Sequence, residues 1–136
     1  MSDIQLSAVQ TLRVVSSTPE SLHLESTWLP GGAAPPRHWH PRQDEEFEVT
    51  SGVLRVELAS DPPRDLGPGE RIAIPRRTQH RMWNAGTEET RATWVITPAG
   101  RTEEMFRSMA QGMSPLRALP VLWRHRHEMR LGPVRP

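Results

Sequence analysis

The sequence predicts an all-β domain, a barrel or sandwich, followed by short helices near the C-terminal end. Three observations lead there. Glycine and proline punctuate short β-forming runs at fairly even spacing. Inside those runs apolar and polar side chains alternate with period two, the mark of a strand with one buried face. A helical period appears only after Pro98. With 136 residues the chain has the size of one ordinary domain, long enough to bury a core of its own. Its predicted organisation is an N-terminal extension over 1–10, a β-barrel over 11–98, and a helical segment and tail over 99–136.

Residues 11–15 and 21–28 read as the first strands, the second setting Leu22 and Leu24 against His23 and Glu25. Pro30, Gly31 and Gly32 break it. A proline-rich stretch leads into 37–40, and alternation resumes over 45–50, where Phe47 and Val49 oppose Glu46 and Glu48. Gly52 marks a turn. The next strand, 53–58, sets Leu54, Val56 and Leu58 against Arg55 and Glu57, and the polar loop 61–69 leads to a strand over 71–74 that Pro75 stops. Residues 79–83, the turn Asn84-Ala85-Gly86 and a β-rich run over 91–97 bring the total to seven to eight strands.

Beyond Pro98, Thr102 is placed to cap a helix whose first turn carries Glu103 and Glu104, where acids favour the positive end of the helix dipole. Met105, Phe106 and Met109 share one face of it, and Gly112 ends it. A second helix is expected over 115–126. His125 and His127, two apart, do not face one another on a helix and are expected to be exposed.

There is no cysteine, which excludes a disulfide framework, a thiol nucleophile and thiolate metal ligands. Any metal must be held by histidine and carboxylate. The first ten residues lack the basic start and apolar run of a signal peptide, and no stretch approaches the roughly 20 apolar residues of a membrane span. A cytoplasmic protein is expected. All 17 basic residues are arginine, interleaved with 16 acids for a net charge of +1, so a solvated surface is the reading and neither nucleic acid nor membrane is an expected partner.

Chemistry concentrates in the middle of the chain. In His38-Trp39-His40 two imidazoles at i and i+2 on a strand project to one face while Trp39 points away. Alone, such a pair reads as two exposed histidines. Glu45 follows a turn over 41–44 and shares its face with apolar Phe47 and Val49. Burying an unpaired carboxylate is costly, so this position suggests a cation nearby. His80 is a third imidazole, beside Met82 and the turn residue Asn84. Three imidazoles and one carboxylate suit a divalent transition metal (Fe, Mn, Ni, Co, Cu or Zn) rather than Ca or Mg, which favour oxygen-rich shells. On an octahedral ion four protein ligands leave two open positions, where a small molecule can be polarised or activated.

The segment Gly32-(5)-His38-Trp39-His40-(4)-Glu45-(6)-Gly52 matches the first motif of the cupins, G(X)5HXH(X)3-4E(X)6G. Their second motif, G(X)5PXG(X)2H(X)3N, resembles the run from Gly69 through Pro75 and His80 to Asn84, with Arg77 standing where the family usually has glycine. On these residues the chain is identified as resembling a small single-domain bacterial cupin. The resemblance implies a double-stranded β-helix jelly-roll barrel with one metal on His38, His40, Glu45 and His80. It also implies metal chemistry on a small organic metabolite, dioxygenase-like oxidation first and isomerase or cyclase chemistry second, with Glu45 as a catalytic base. A non-catalytic metal-dependent ligand-binding or sensor module is the alternative.

Strand parity makes Phe47, Met82, Trp94 and Trp28 candidate walls of the substrate pocket. A homodimer is expected as well, because a lone barrel has sheet edges that invite pairing and because Met105, Phe106, Met109, Leu119, Leu122 and Trp123 need covering. The competing arrangement folds the C-terminal segment over its own barrel as a lid.

Overall fold

The computed structural model describes residues 3–136; residues 1 and 2 of the expected N-terminal extension lie outside the described residues. Two antiparallel sheets pack face to face. The first runs in the order β1 (Ile4–Gln5), β2 (Gln10–Ser17), β3 (Leu22–Trp28), β10 (Thr90–Thr97), β5 (Asp44–Ser51), β8 (Arg71–Ile74). The second runs β11 (Arg130–Leu131), β4 (His38–Trp39), β9 (His80–Trp83), β6 (Leu54–Leu58), β7 (Arg64–Leu66). This is the expected jelly-roll, with more strands than the seven to eight read from the sequence. The additions β1, β7 and β11 are two or three residues long, too short to show a period of two, and pairing with a neighbouring strand is what makes them strands.

Alternation does what the period requires. In β10, Thr90, Ala92, Trp94 and Ile96 are buried between β3 and β5, while Arg91, Thr93 and Thr97 are exposed. Leu22, Leu24, Phe47, Val49, Leu54, Val56, Ile72 and Ile74 complete the interior from both sheets. Each such side chain contributes roughly 1.5–3 kcal/mol by leaving water. At Gly52 the backbone takes φ +76°, and a Cβ there would collide with the Glu89 carbonyl and with Thr90. Glycine is required at that turn. Arg77 also adopts a left-handed φ, +65°. The penalty for a side chain there is met by a hydrogen bond from its N–H to the His40 carbonyl (2.8 Å) and by its guanidinium lying 5.4 Å from the Trp39 ring.

Two helices follow, α1 (Thr102–Ala110) and α2 (Pro115–Arg124). Thr102 does not cap α1. Arg101 is the N-cap, without a side-chain cap, and the Thr102 hydroxyl lies inside the first turn, buried, accepting a hydrogen bond from Gln43 Nε2 at 2.7 Å. A tertiary partner has taken the group that local sequence assigned to capping. Met105 and Phe106 are buried in the chain's own core, so this part of the expected exposed face is covered within one chain. By contrast α2 buries nothing fully, and Leu116, Leu119 and Trp123 are 90 %, 74 % and 70 % exposed. His125 corrects another expectation: it is fully buried, and His127 half-buried, because the chain turns back onto the barrel after α2 instead of extending the helix. Among the described residues no helix is long and apolar enough to cross a membrane.

Candidate metal centre

The site lies where β4, β5 and β9 meet. The single register pair joining β4 to β9 is His38 opposite His80, which sets two imidazoles side by side across the ladder. His40, two residues on, returns to the same face. Nitrogen atoms of His38, His40 and His80 lie within 4.8 Å of one another, the arrangement of three ligands around one ion. From β5, Glu45 Oε1 comes to 2.7 Å from His40 Nε2 and 3.0 Å from His80 Nε2. His40, Glu45 and His80 are only 4 %, 3 % and 2 % exposed, and His38 is half-buried.

The outer nitrogens determine what the inner ones offer. His80 Nδ1 is 2.8 Å from the Thr78 carbonyl, and His40 Nδ1 is 2.7 Å from the Glu128 carbonyl. A carbonyl only accepts, so in each neutral ring Nδ1 carries the hydrogen and Nε2 presents its lone pair inward. Although His40 Nε2 and Glu45 Oε1 stand at ion-pair distance, they lack hydrogen-bond alignment, and both atoms are buried without a hydrogen-bond partner. Two buried polar atoms that face a common point without bonding each other fit a shared cation, and the three-nitrogen, one-oxygen donor set fits a transition metal.

Electrostatics agree with that fit at His38, and at His40 and Glu45 they show that a positive charge is favoured beside the carboxylate. Burial, reinforced by neighbouring His80 and His40, pushes the His38 pKa down to about 3, which keeps its ring neutral and available as a ligand. At His40 burial opposes charge, but the Glu45 carboxylate and the Glu128 carbonyl outweigh it and raise the pKa above 6.5. For Glu45, burial alone would favour the neutral acid. The positive charge of His40 and contacts with His40 and His80 reverse this and hold the carboxyl well below the usual range.

Of the four residues proposed as pocket walls, all are buried, but they lie in different places. Trp94 stacks on Phe47 with ring centroids 4.9 Å apart, and Phe106 extends the aromatic group at 5.2 Å from Trp94. Met82 pairs with Val56 in the second sheet, and the Trp28 carbonyl accepts a hydrogen bond from Asn84. Trp94 does more than line a wall: its Nε1–H donates to Glu45 Oε2 at 2.6 Å. Parity on β10 placed Trp94 inward, but nothing local named its partner, which comes from a strand 49 residues away. Sequence reasoning also missed Gln43, whose amide donates to the carbonyls of Pro98 and Ala99 and so pins the start of β5 to the chain leading into α1.

Two surface depressions, of about 410 and 610 Å3, are lined by residues of the C-terminal segment, the larger with Trp39 in its wall. Neither includes the imidazoles of His38, His40 or His80. Trp39, on the opposite face of β4, separates the larger one from the site.

The family model described as "Cupin domain" matches residues 24–96, more than half of the chain. Protein SchB of Streptomyces halstedii is 36 % identical over 61 residues, covering 45 % of this chain and 44 % of that protein. The chain spans less than half the length of the curated relatives it matches. Among solved structures, KdgF from Halomonas sp. superposes with a TM-score of 0.67 at 21 % identity, over 76 % of this chain and 93 % of that one. The polyketide cyclase RemF from Streptomyces resistomycificus superposes with a TM-score of 0.60 at 24 % identity, over 66 % of each chain. At these identities the structural likeness concerns the fold.

Proposed function

This chain belongs to the cupin domain family, and from that premise we propose that it is a metal-dependent enzyme acting on a small organic molecule. One divalent transition metal would be held by His38, His40, Glu45 and His80. The observation that carries the reading is the pair of buried atoms without hydrogen-bond partners, His40 Nε2 and Glu45 Oε1, facing the group formed by His38 and His80. When bound, the ion would supply Lewis acidity or O2 activation at its open positions.

The protein's own groups have distinct tasks in this proposal. Trp94 fixes Glu45 through Oε2 and leaves Oε1, which would hold the ion, as the carboxylate oxygen that could take a proton from the substrate. Phe47 and Phe106 pack against Trp94 and keep water from the indole that holds that carboxylate. Dioxygenase-like oxidation of a phenolic or diketone-like compound is the first subclass. Isomerase or cyclase chemistry is the second, favoured by the likeness to a protein described as a polyketide cyclase.

Metal analysis of untagged protein, followed by O2-uptake and anaerobic assays on a panel of phenols, diketones and polyketide-like compounds, tests the reading. Metal-dependent turnover with O2 consumption supports the first subclass, and turnover without O2 the second. Ligand binding without turnover would replace the enzyme with a metal-dependent binding module. In solution we propose a homodimer through the exposed Leu116, Leu119 and Trp123 of α2; a monomeric mass by light scattering would overturn it.

A further inference from the structure

The three imidazoles are oriented by different means. His80 Nδ1 is held by the carbonyl of Thr78, two residues upstream, and the His38 ring donates to the carbonyl of Pro36, also two residues upstream. His40 is held by a carbonyl 88 residues away, that of Glu128. The cupin model ends at residue 96, so this contact comes from outside the matched part of the chain.

The segment around Glu128 is built to present that carbonyl. The N–H groups of Glu128 and Met129 both donate to the His125 carbonyl, at 2.9 and 3.0 Å, closing a tight turn. His125 and Met129 are buried and seat the turn on the barrel. Immediately beyond, β11 pairs with β4, Arg130 opposite Trp39 and Leu131 opposite His38, on the strand that supplies His38. Gln79, next to His80, donates to the Gly132 carbonyl at 2.7 Å. The same few residues therefore touch β4, His40 and the start of β9.

We propose that residues 125–131 form a strap that is a positioning element of the metal centre, in which the Glu128 carbonyl fixes the His40 tautomer and thereby couples metal affinity to docking of the strap. The inference rests on the proposed metal-binding reading. With the strap docked, Nδ1 of His40 must carry the hydrogen and Nε2 is free for the ion. With it undocked, the ring can turn or exchange tautomers, and part of the population no longer presents Nε2. Removing an outer hydrogen-bond partner of a metal-bound histidine typically weakens metal binding by about 10–100-fold. Linkage is reciprocal, so the bound ion must hold the strap closed to the same degree. A two-residue edge strand opens readily on its own, which makes this coupling measurable.

The first test uses the full chain. Amide hydrogen exchange is followed with and without Zn2+, comparing Met129 and Arg130 with Gln5 on β1 at an edge of the other sheet. The strap amides are expected to slow by tenfold or more while Gln5 stays unchanged. In parallel, nitrogen-15 imidazole spectra are expected to report a hydrogen on His40 Nδ1. The second test is Arg130→Pro in the full chain, which disrupts β11. A roughly tenfold or greater rise in the Zn2+ dissociation constant, with loss of the single His40 tautomer, is expected. Unchanged strap exchange on adding Zn2+, or wild-type Zn2+ affinity in a variant whose strap amides exchange freely, would overturn the strap while leaving the metal site standing. Failure of the full wild-type chain to take up any metal would overturn both.

Discussion

Glu45 and Glu57 are the same residue type on consecutive strands, β5 and β6, that lie in opposite sheets of one barrel; they are 3 % and 7 % exposed, and they meet opposite fates. Glu57 is closed: its oxygens receive Arg37 Nη2 at 2.7 Å and Arg81 Nε and Nη2 at 3.1 Å. Both oxygens are engaged by guanidinium groups, two bonds on Oε2 and one on Oε1, and the two arginines already supply the positive charge that a cation would bring. Glu45 is open. One oxygen is engaged by Trp94, while the other faces two imidazoles without a hydrogen-bond partner. Burial alone therefore does not mark a site. A buried carboxylate with satisfied partners is a structural ion pair, and one held on a single side, with bare nitrogens opposite, has room for a cation.

The sharpest way to break this contrast is to remove the open side. Glu45→Ala or His40→Ala should reduce metal content from one per chain to near zero, as read by elemental analysis, and lower the melting temperature, because an ion that binds only the native state stabilises it by mass action. Metal stoichiometry unchanged in either variant would make Glu45 as closed as Glu57.

Acidification is the next lever. The His40 pKa is raised above 6.5, so the ring gains a proton as the pH falls through that raised value, and a protonated ring cannot coordinate. Metal affinity should fall about tenfold per pH unit below it for this one proton. His38, with its pKa near 3, contributes no such loss in the same range. A competition titration with a chelator between pH 5 and pH 8 reads the slope, and a flat profile would contradict it.

Trp94→Phe sharpens the comparison by freeing the second oxygen of Glu45 while keeping an aromatic ring on Phe47. Metal affinity is expected to weaken by about tenfold, the low end for loss of an outer partner, with the fold intact by circular dichroism. Affinity equal to wild type would show that the Trp94 hydrogen bond does not position the carboxylate.

The smallest effect belongs to the closed residue. Glu57→Gln should leave metal stoichiometry untouched and lower the melting temperature by a few degrees. The Arg81 and Arg37 guanidinium groups hold the Glu57 carboxyl below its usual 4.5, so its contribution to stability is present above that value and is lost as pH falls through the lower folded value. The variant should lack this part of the acid-side loss, which a melting series from pH 3 to pH 6 would reveal.

The two helices repeat the contrast on a larger scale. Both carry apolar faces that the 3.6-residue period makes visible, yet α1 buries Met105 and Phe106 in its own barrel and α2 leaves Leu116, Leu119 and Trp123 in the open. A periodic face says that something will cover it. What covers it is a matter of where the preceding chain has gone. Here Gln43 ties the start of α1 to the barrel, whereas α2 brings Leu122 against the core and leaves Leu116, Leu119 and Trp123 outside.

What the sequence alone determined is the part governed by local rules. Alternation placed Glu45, Phe47, Val49 and Trp94 inward because successive strand residues must point to opposite faces. Spacing within two motifs assembled His38, His40, Glu45 and His80 as candidate ligands, since i and i+2 share a face and the intervening turns reset it. Tertiary structure alone decided the partners. Trp94 reaches Glu45 across 49 residues and the Glu128 carbonyl reaches His40 across 88. His125 is buried, and Thr102 serves Gln43 rather than its helix. A side chain's direction follows from its neighbours in sequence, but its hydrogen-bond partner depends on which distant backbone arrives there. A carbonyl such as that of Glu128, which every residue type carries, leaves no signature in the sequence at all.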